Sequence, residues 1–204
     1  MNDKLTELVH RAQQGSTSAF EELVVLYQDK VFSHCYHLTG NYSDAQDLAQ
    51  EVFVRAYKGI KSFRNEADFG TWLHRIAINQ YLNLRRKEKN NNHLSLDEPL
   101  STDEGEMLRQ VAASSDDPVE TVEREDLRQL VSTGLERLPP EFKAVLVLRE
   151  FNDYSYEQMA DIMECSLGTV KSRLNRARKA LRNEITALAR KAGIDLGTYA
   201  SENE

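Results

Sequence analysis

The feature that most constrains the fold is the segment between positions 155 and 182, which contains two helix signals separated by a short turn. Ser155, with Gln158 three residues later, has the form of a capping box, and Ser166 can cap a second helix. The predicted helices cover about 156–163 and 167–190. Their apolar residues recur at helical spacing on one shared face, formed by Met159, Ile162, Val170, Leu174, Ala177 and Leu181. This pattern predicts a helix-turn-helix.

The second helix of this motif has positive charge on the face opposite its apolar residues. No acidic residue occurs between positions 165 and 183, and Ser172 and Asn175 lie among the cations. The cations are Lys171, Arg173, Arg176, Arg178, Lys179 and Arg182. Such a face suits a helix in a groove walled by phosphates, where the polar side chains read base edges. The alternative is an ordinary helical hairpin with a solvated basic face.

The turn between the two helices lacks the glycine that many helix-turn-helix motifs place there. The corresponding position is Glu164 or Cys165. A residue with a side chain is strained in the left-handed conformation, so any left-handed residue at these two positions carries strain.

Charge is distributed unevenly along the chain. The net charge is −7, but positions 97–126 contain eleven acidic residues and only two arginines. This segment therefore has a net charge of −9, which leaves +2 for the rest of the chain. Because the acidity is confined to the middle, the flanking parts are able to meet phosphate groups.

The fold class predicted from these patterns is all-α, with two small helical domains joined by an acidic flexible linker. The chain of 204 residues is 40% hydrophobic and 29% charged, which is typical of a globular protein, and it shows no strand pattern. The predicted parts are a four-helix N-terminal domain at 1–89, the linker at 90–117, the helix-turn-helix domain at 118–191 and a frayed tail at 192–204.

We expect a cytoplasmic protein without direct membrane insertion, because the sequence has neither a long apolar run nor an export signal at its start. The two cysteines, Cys35 and Cys165, fall in different predicted domains, which disfavours a structural disulfide.

A helix predicted at about 43–60 has an apolar side and an acidic side. The acidic side presents Asp47, Gln50, Glu51, Val54 and Lys58. This side is either a solvated face or a docking surface for a basic partner helix.

The next predicted helix, at about 68–89, has a stripe of aromatic, amide and guanidinium groups. Its members are Trp72, Arg75, Asn79, Asn83 and Arg86, and the loop before the helix contains Phe63, Arg64 and Asn65. Such groups suit single-stranded nucleic acid, whose bases stack and expose hydrogen-bonding edges. Burial of Trp72 in the core is the alternative.

Catalysis and metal binding have little support in the sequence. His34 and His37 lie three residues apart, but Cys35 points about a quarter-turn away from them and no other cluster completes a tetrahedral set. Neither a glycine-rich phosphate loop nor a nucleophile with a base in recognisable context occurs. We therefore predict no enzyme activity, no catalytic residues, no metal site, no cofactor and no small-molecule substrate.

Three stretches in order resemble the extracytoplasmic-function (ECF) group of the sigma-70 family of bacterial RNA polymerase sigma factors. DAQDLAQEVFVRAYKGIKSFR is similar to the core-binding helix of region two, and FGTWLHRIAIN to its promoter-melting continuation. LPPEFKAVLVLREFNDYSYEQMADIMECSLGTVKSRLNRARKAL is similar to region four. The match covers nearly the whole chain, and the order of these parts around one acidic linker is highly specific.

The resemblance implies an ECF-type sigma factor that binds core RNA polymerase and directs promoter-specific transcription initiation, of a stress or envelope-response regulon. It implies as partners the β′ coiled coil and the β subunit of the polymerase, promoter DNA and an anti-sigma factor. A stand-alone helix-turn-helix transcriptional regulator is the alternative, but it leaves the acidic face and the aromatic stripe of the first half without a role.

By position, the resemblance also implies three sets of site residues. The set that binds core polymerase is Asp47, Gln50 and Glu51. The set that binds the minus-ten element is Phe63, Arg64, Asn65, Trp72, Arg75 and Asn79. The set that binds the minus-35 element is Arg149, Tyr156, Lys171, Ser172, Arg173, Asn175 and Arg176.

Overall fold

A computed structural model of the chain describes residues 2–64, 67–92 and 118–194. The helices are α1 Asn2–Gln13, α2 Thr17–Thr39, α3 Tyr42–Gly59, α4 Phe69–Asn92, α5 Pro118–Glu136, α6 Pro140–Leu146, α7 Tyr156–Ile162 and α8 Leu167–Ala192. A 3₁₀ turn, Ile60–Ser62, follows α3, and a π-helical turn, Val147–Phe151, continues α6. All regular structure in these ranges is helical, which confirms the all-α fold. Most of the predicted linker and of the tail lies outside the described residues.

Local signals set the ends of the helices in the first half. The Ser16 side chain accepts a hydrogen bond from the Ala19 amide at the start of α2, and α2 ends at Gly40, whose φ of 78° is left-handed. Asn41 then caps α3 by accepting a hydrogen bond from the Asp44 amide. Because glycine adopts a positive φ without strain, α2 and α3 follow each other with only two residues between them.

The first four helices share a core of large aliphatic side chains. α2 packs against α1, α3 and α4, and α3 also packs against α4. The fully buried side chains include Leu23, Leu38, Leu48, Leu73 and Ile78. Each of these helices buries a face of apolar side chains and leaves the opposite face exposed.

The second half is built around α8, against which α5, α6 and α7 all pack. Residues 144–148, with the sequence AVLVL, are each 2% exposed or less. Because these residues are apolar on every side of the helix, they require neighbours all round. α8 covers one side, and α2 and α4 of the first half lie against other parts of the same helical segment.

Two histidines lie where the halves meet. The Nδ1 atom of His34 is 2.8 Å from Oδ1 of Asn152, and the Nδ1 atom of His74 is 2.8 Å from the hydroxyl of Tyr154. The two imidazole rings stack with their centroids 4.1 Å apart. Each half therefore supplies one partner of each hydrogen bond, and no solvent separates the rings.

Burial makes both imidazoles hard to protonate. It lowers the pKa of His34 well below its usual value, and the neighbouring His74 lowers it further. Burial lowers the pKa of His74 to about 4, and the positive charge of Lys30 lowers it as well. The negative charge of Asp68 acts in the opposite direction and raises this pKa. The folded chain therefore keeps both rings neutral at a pH where the unfolded chain protonates them.

We expect acid to destabilise the fold between pH 7 and pH 5. The contribution of the two neutral rings to the free energy of unfolding is fully present above the unfolded histidine pKa of about 6.5. Below that pH, each buried ring lowers the free energy of unfolding by at most about 1.4 kcal/mol per pH unit. Chemical denaturation across this range measures the loss. His74→Gln should make the pH dependence shallower, whereas His10→Gln, at an exposed position, should leave it unchanged. Equal slopes for His74→Gln and the wild type would contradict this account.

Candidate nucleic-acid interface

The helix-turn-helix forms as the sequence predicts. Ser155 and Gln158 make the reciprocal capping box at the start of α7, and the Ser166 hydroxyl accepts a hydrogen bond from the Thr169 amide at the start of α8. The turn contains Glu164, whose φ of 50° is left-handed. This confirms strain at one of the two positions where the sequence lacks glycine.

Packing of α7 on α8 points the basic face outwards. Met159, Ile162 and Val170 are fully buried between the two helices. On the other side, Lys171, Ser172, Asn175 and Arg176 are exposed and Arg173 is half-buried. The candidate minus-35 side chains of α8 are thus presented on a single rigid element.

Within this face, Arg176 is partly oriented by its own helix. Its Nε atom donates to the carbonyl oxygen of Ser172 at 3.3 Å, and its Nη2 atom donates to the Ser172 hydroxyl at 3.2 Å. Ser172 in turn donates to the carbonyl oxygen of Thr169 at 3.1 Å. The guanidinium is therefore held along α8 in the free chain.

Arg149 and Tyr156, the other two candidate minus-35 residues, lie beside each other at the start of α7. Nη1 of Arg149 donates to the Tyr154 carbonyl oxygen at 3.0 Å, and its guanidinium lies 5.5 Å from the centre of the Tyr156 ring. The contact is a cation–π interaction that ties the π-helical turn to α7.

Sequence reasoning missed one ion pair on the basic face. Nε and Nη2 of Arg178 donate to Oε1 of Glu150 at 3.1 Å and 2.7 Å. Glu150 precedes Arg178 by 28 positions, so a local count of charges along α8 does not detect it. The pair links α8 to the π-helical turn and neutralises one of the six cations.

Phe63, in the loop before α4, packs inwards against the aromatic residues of the first turn of α4. The rings of Phe63 and Trp72 lie 4.9 Å apart, Phe69 lies 5.6 Å from Trp72, and Phe63 and Trp72 are each 8% exposed. Gln13 donates a hydrogen bond to the Phe63 carbonyl oxygen at 2.6 Å. Trp72 is therefore mainly a core residue that supports the loop.

A cavity of about 270 Å³ opens beside this aromatic cluster. Its lining includes four of the candidate minus-ten residues, Phe63, Arg64, Trp72 and Arg75. Asn79 is half-buried one turn beyond Arg75 on α4, and Asn65 lies outside the described residues. The cavity also includes Asp161 and Ile162, from α7 of the other half.

The candidate polymerase-binding residues lie together on the exposed side of α3. Asp47 and Gln50 are exposed. Glu51 is held by Arg55, whose Nε atom donates to Oε1 at 2.6 Å. Val54, 39% exposed, adds an apolar element to an otherwise acidic face.

In the described part of the chain, no cluster of three or more His, Cys, Asp and Glu side chains is placed to hold a metal ion. His37 instead stacks on Phe151 with ring centroids 4.0 Å apart, and the buried His34 contacts Asn152. Nor does any helix among the described residues have the length and apolarity needed to span a membrane.

Comparisons with known proteins cover both halves. Residues 23–91 match Sigma-70 region 2, and residues 128–181 match Sigma-70, region 4. The ECF RNA polymerase sigma factor SigW of Bacillus subtilis is 33% identical over 188 residues, covering 92% of this chain and 100% of that protein. The ECF RNA polymerase sigma-E factor of Escherichia coli K12 is 37% identical over 199 residues, covering 94% of this chain and 100% of that protein.

Two solved structures are similar in fold. The sigma factor RpoE of Bartonella quintana, in complex with the anti-sigma factor NepR, has a TM-score of 0.63 at 22% identity, covering 82% of this chain and 96% of that one. CnrH in complex with the cytosolic domain of CnrY has a TM-score of 0.59 at 22% identity, covering 88% of this chain and 96% of that one.

These matches, which extend over both helical halves, define the chain as a sigma factor of the sigma-70 family. Within that family, it belongs to the ECF RNA polymerase sigma factors, because relatives of that group align with nearly all of its length. A stand-alone helix-turn-helix regulator is not favoured, since such a protein does not account for the region 2 match in the first half.

We expect Glu164→Gly to stabilise the fold by about 0.5–1 kcal/mol. Glycine removes the left-handed strain of about 1–2 kcal/mol and adds a smaller entropic cost in the unfolded chain. Chemical denaturation measures the change. The control is Lys179→Gly on the exposed middle of α8, which should destabilise the fold by about 1 kcal/mol. If both variants are destabilised equally, the turn carries no relievable strain.

Proposed function

We propose that this sigma factor binds core RNA polymerase and directs it to promoters through three separate surfaces. The observation that carries the proposal is that α3 and α8 each expose a charged face and bury the opposite apolar face, while four of the candidate minus-ten residues line one cavity. Such faces are rigid, and they present their side chains to a partner without a rearrangement of the core.

The polymerase-docking surface in this proposal is the acidic face of α3, formed by Asp47, Gln50 and Glu51. Asp47 and Gln50 are exposed, and Val54 offers an apolar contact beside them. An amphipathic acidic face of this kind suits a basic helical partner, here the β′ coiled coil of the polymerase, and the β subunit is proposed as a further contact.

The minus-ten surface is the cavity beside the aromatic cluster, with the loop before α4 at its edge. Arg64 and Arg75 supply positive charge for phosphates, and Asn79 supplies an amide for the edge of an unpaired base. Asn65 belongs to this set by resemblance. The buried Trp72 supports the surface by holding Phe63 in place.

The minus-35 surface is the exposed face of α8 with Arg149 and Tyr156 at its edge. Lys171, Asn175 and Arg176 are exposed along one helix, as major-groove readout requires. Ser172 and Arg173 complete the set. We propose that Arg149 and Tyr156, which form a cation–π pair, contact the phosphate backbone beside the recognition helix.

The remaining proposals concern context. We assign 1–89 to region two, 90–117 to the linker, 118–191 to region four and 192–204 to the tail.

We propose a cytoplasmic location, a binding rather than catalytic role, and a stress or envelope-response regulon. An anti-sigma factor is proposed as a partner because the RpoE of similar fold is in complex with the anti-sigma factor NepR.

Reversing charge on α3 should abolish binding to core polymerase. Asp47→Lys and Glu51→Lys place positive charge against a basic partner, so each variant should no longer co-purify with core polymerase while its circular dichroism stays helical. Glu88→Lys is the matched control, because it also breaks an exposed ion pair, with Arg85 on α4. Normal core binding by both α3 variants would show that docking occurs elsewhere.

At least one of Lys171→Ala and Arg176→Ala should change the preferred minus-35 sequence. Loss of a base-specific bidentate contact costs about 1–3 kcal/mol and relaxes the preference at one base pair, whereas loss of a phosphate contact weakens binding to all sequences alike. Holoenzyme binding to a library of minus-35 variants distinguishes the two. Arg190→Ala, exposed near the end of α8, is the control. Equal weakening for every promoter by both variants would make α8 an electrostatic anchor only.

A further inference from the structure

The last residue of α1, Gln13, contacts the segment that joins α3 to α4. Its Nε2 atom donates a hydrogen bond to the carbonyl oxygen of Phe63 at 2.6 Å, although the two residues are 50 positions apart. Gln13 is half-buried, and α1 also packs against the 3₁₀ turn Ile60–Ser62 that precedes Phe63. The end of α1 therefore lies against the start of the loop before α4.

Phe63 lies outside regular helical structure, so the bond from Gln13 holds backbone that no helix holds. The Phe63 ring packs on Trp72, and the Phe63 amide donates to the carbonyl oxygen of Ile60 at 3.1 Å. These contacts fix the side chain and the preceding peptide group. The following peptide group turns about the ψ bond of Phe63, which is at 117°. Because a peptide group is planar, holding its oxygen sets the direction in which the chain continues to Arg64.

The residues around this peptide group form one wall of the candidate minus-ten cavity. The described residues of this wall are Ser62, Phe63, Arg64 and Ala67. At its far end, Asp68 accepts a hydrogen bond from the Gly70 amide at 2.8 Å and so caps α4. Gly70 also leaves room for α2, because a Cβ atom there would lie 2.9 Å from the Tyr27 ring. The wall is thus held at one end by α1 and at the other by the α4 cap and α2.

A cavity that distinguishes one base from another depends on the position of its wall. Hydrogen bonds to a base edge weaken steeply with poor geometry, and a binding site must hold its groups to within about 0.5 Å of the productive positions. Gln13 is not among the described residues that line the cavity. It therefore acts on a bound base through Phe63 and Arg64.

We propose that Gln13 is a positioning residue for the minus-ten surface: its hydrogen bond to the Phe63 carbonyl oxygen sets the wall of the cavity and thereby the preference for one unpaired base. This inference rests on the proposed function of that surface and extends it to a residue of α1. Without the bond, the peptide group after Phe63 turns more freely. The cavity still admits a base, but the four bases differ less in affinity.

The test compares two substitutions of Gln13 with a matched control. Gln13→Met keeps the length of the side chain and removes the donor, whereas Gln13→Lys keeps a donor of similar reach. The control is Gln14→Met at the next position, which is exposed and whose amide is 3.5 Å from His10 within α1. Each variant is assembled into holoenzyme. Its affinity is then measured for single-stranded minus-ten oligonucleotides that carry each of the four bases at the position of strongest preference.

The quantity compared is the ratio of affinities between the preferred base and the other three. Gln13→Met should lower this ratio about threefold to tenfold, as expected for the loss of one hydrogen bond. Gln13→Lys should keep the ratio within about twofold of the wild type, because a positive charge near the strand strengthens binding to all four bases alike. Gln14→Met should match the wild type.

A merely structural role for Gln13 predicts a different result. Partial unfolding weakens binding to all four bases alike and leaves their ratio unchanged. Trp72, the one tryptophan of the chain, reports on the aromatic cluster next to Phe63. We expect its fluorescence emission, and the binding of core polymerase, to be the same in Gln13→Met as in the wild type.

An unchanged ratio in Gln13→Met would overturn the proposal, as would a loss that Gln13→Lys does not restore or a shifted Trp72 emission in Gln13→Met. Asn79→Ala tests the proposed function separately. If Asn79→Ala lowers the ratio and Gln13→Met does not, the minus-ten surface stands and the role of Gln13 is wrong. If neither variant changes the ratio, base preference arises elsewhere and both assignments are wrong.

Discussion

The structure depends on the burial of a short helical segment that is apolar on every side. Residues 144–148 span the end of α6 and the start of the π-helical turn, and each is 2% exposed or less. An amphipathic helix needs one neighbour, but a segment of this kind needs several. α8 covers part of it, and α2 and α4 lie against the same stretch of helix. Its burial therefore holds the helix-turn-helix together and brings the first half against the second.

The charged faces of this ECF sigma factor follow from the same packing. The cations of α8 and the carboxylates of α3 are too costly to bury without partners, so each helix turns its apolar side to the core and its charge to solvent. The exposed Glu150–Arg178 pair adds little to stability by itself. Its effect is geometric, since it joins α8 to the π-helical turn, whose first residues belong to the buried apolar segment.

The contact between the two halves differs chemically from the two cores, because it contains the stacked histidines His34 and His74. The cores are aliphatic and aromatic, whereas the hydrogen bonds of His34 to Asn152 and of His74 to Tyr154 require defined polar partners. Interfaces between domains of one chain are commonly weaker than domain cores. This contact combines the buried apolar segment at residues 144–148 with a few buried polar contacts that fix the relative placement of the halves.

The sequence alone determined the features that depend on neighbouring residues. The capping box of Ser155 and Gln158, the cap at Ser166 and the strained turn at Glu164 are local, and each was found where the sequence predicts it. The observed bounds of the helices also agree closely with the predicted bounds. Apolar periodicity and caps, from which the bounds were predicted, act within a few residues. The choice between a stacking and a core role for Trp72 stayed open, since periodicity does not reveal which neighbours enclose a ring.

Only the tertiary structure decided which distant residues meet. His34 and Asn152 are 118 positions apart, and no local pattern in either segment reveals the other. The same holds for Arg178, which the sequence counts as an unopposed cation and the fold pairs with Glu150. In the sequence, nothing distinguishes Asp161 from other polar helix residues. Only the fold shows that it lines the same cavity as Arg64 and Arg75. Helices and their faces arise from contacts within a turn or two, whereas the placement of those faces depends on side chains that come together only when the whole chain packs.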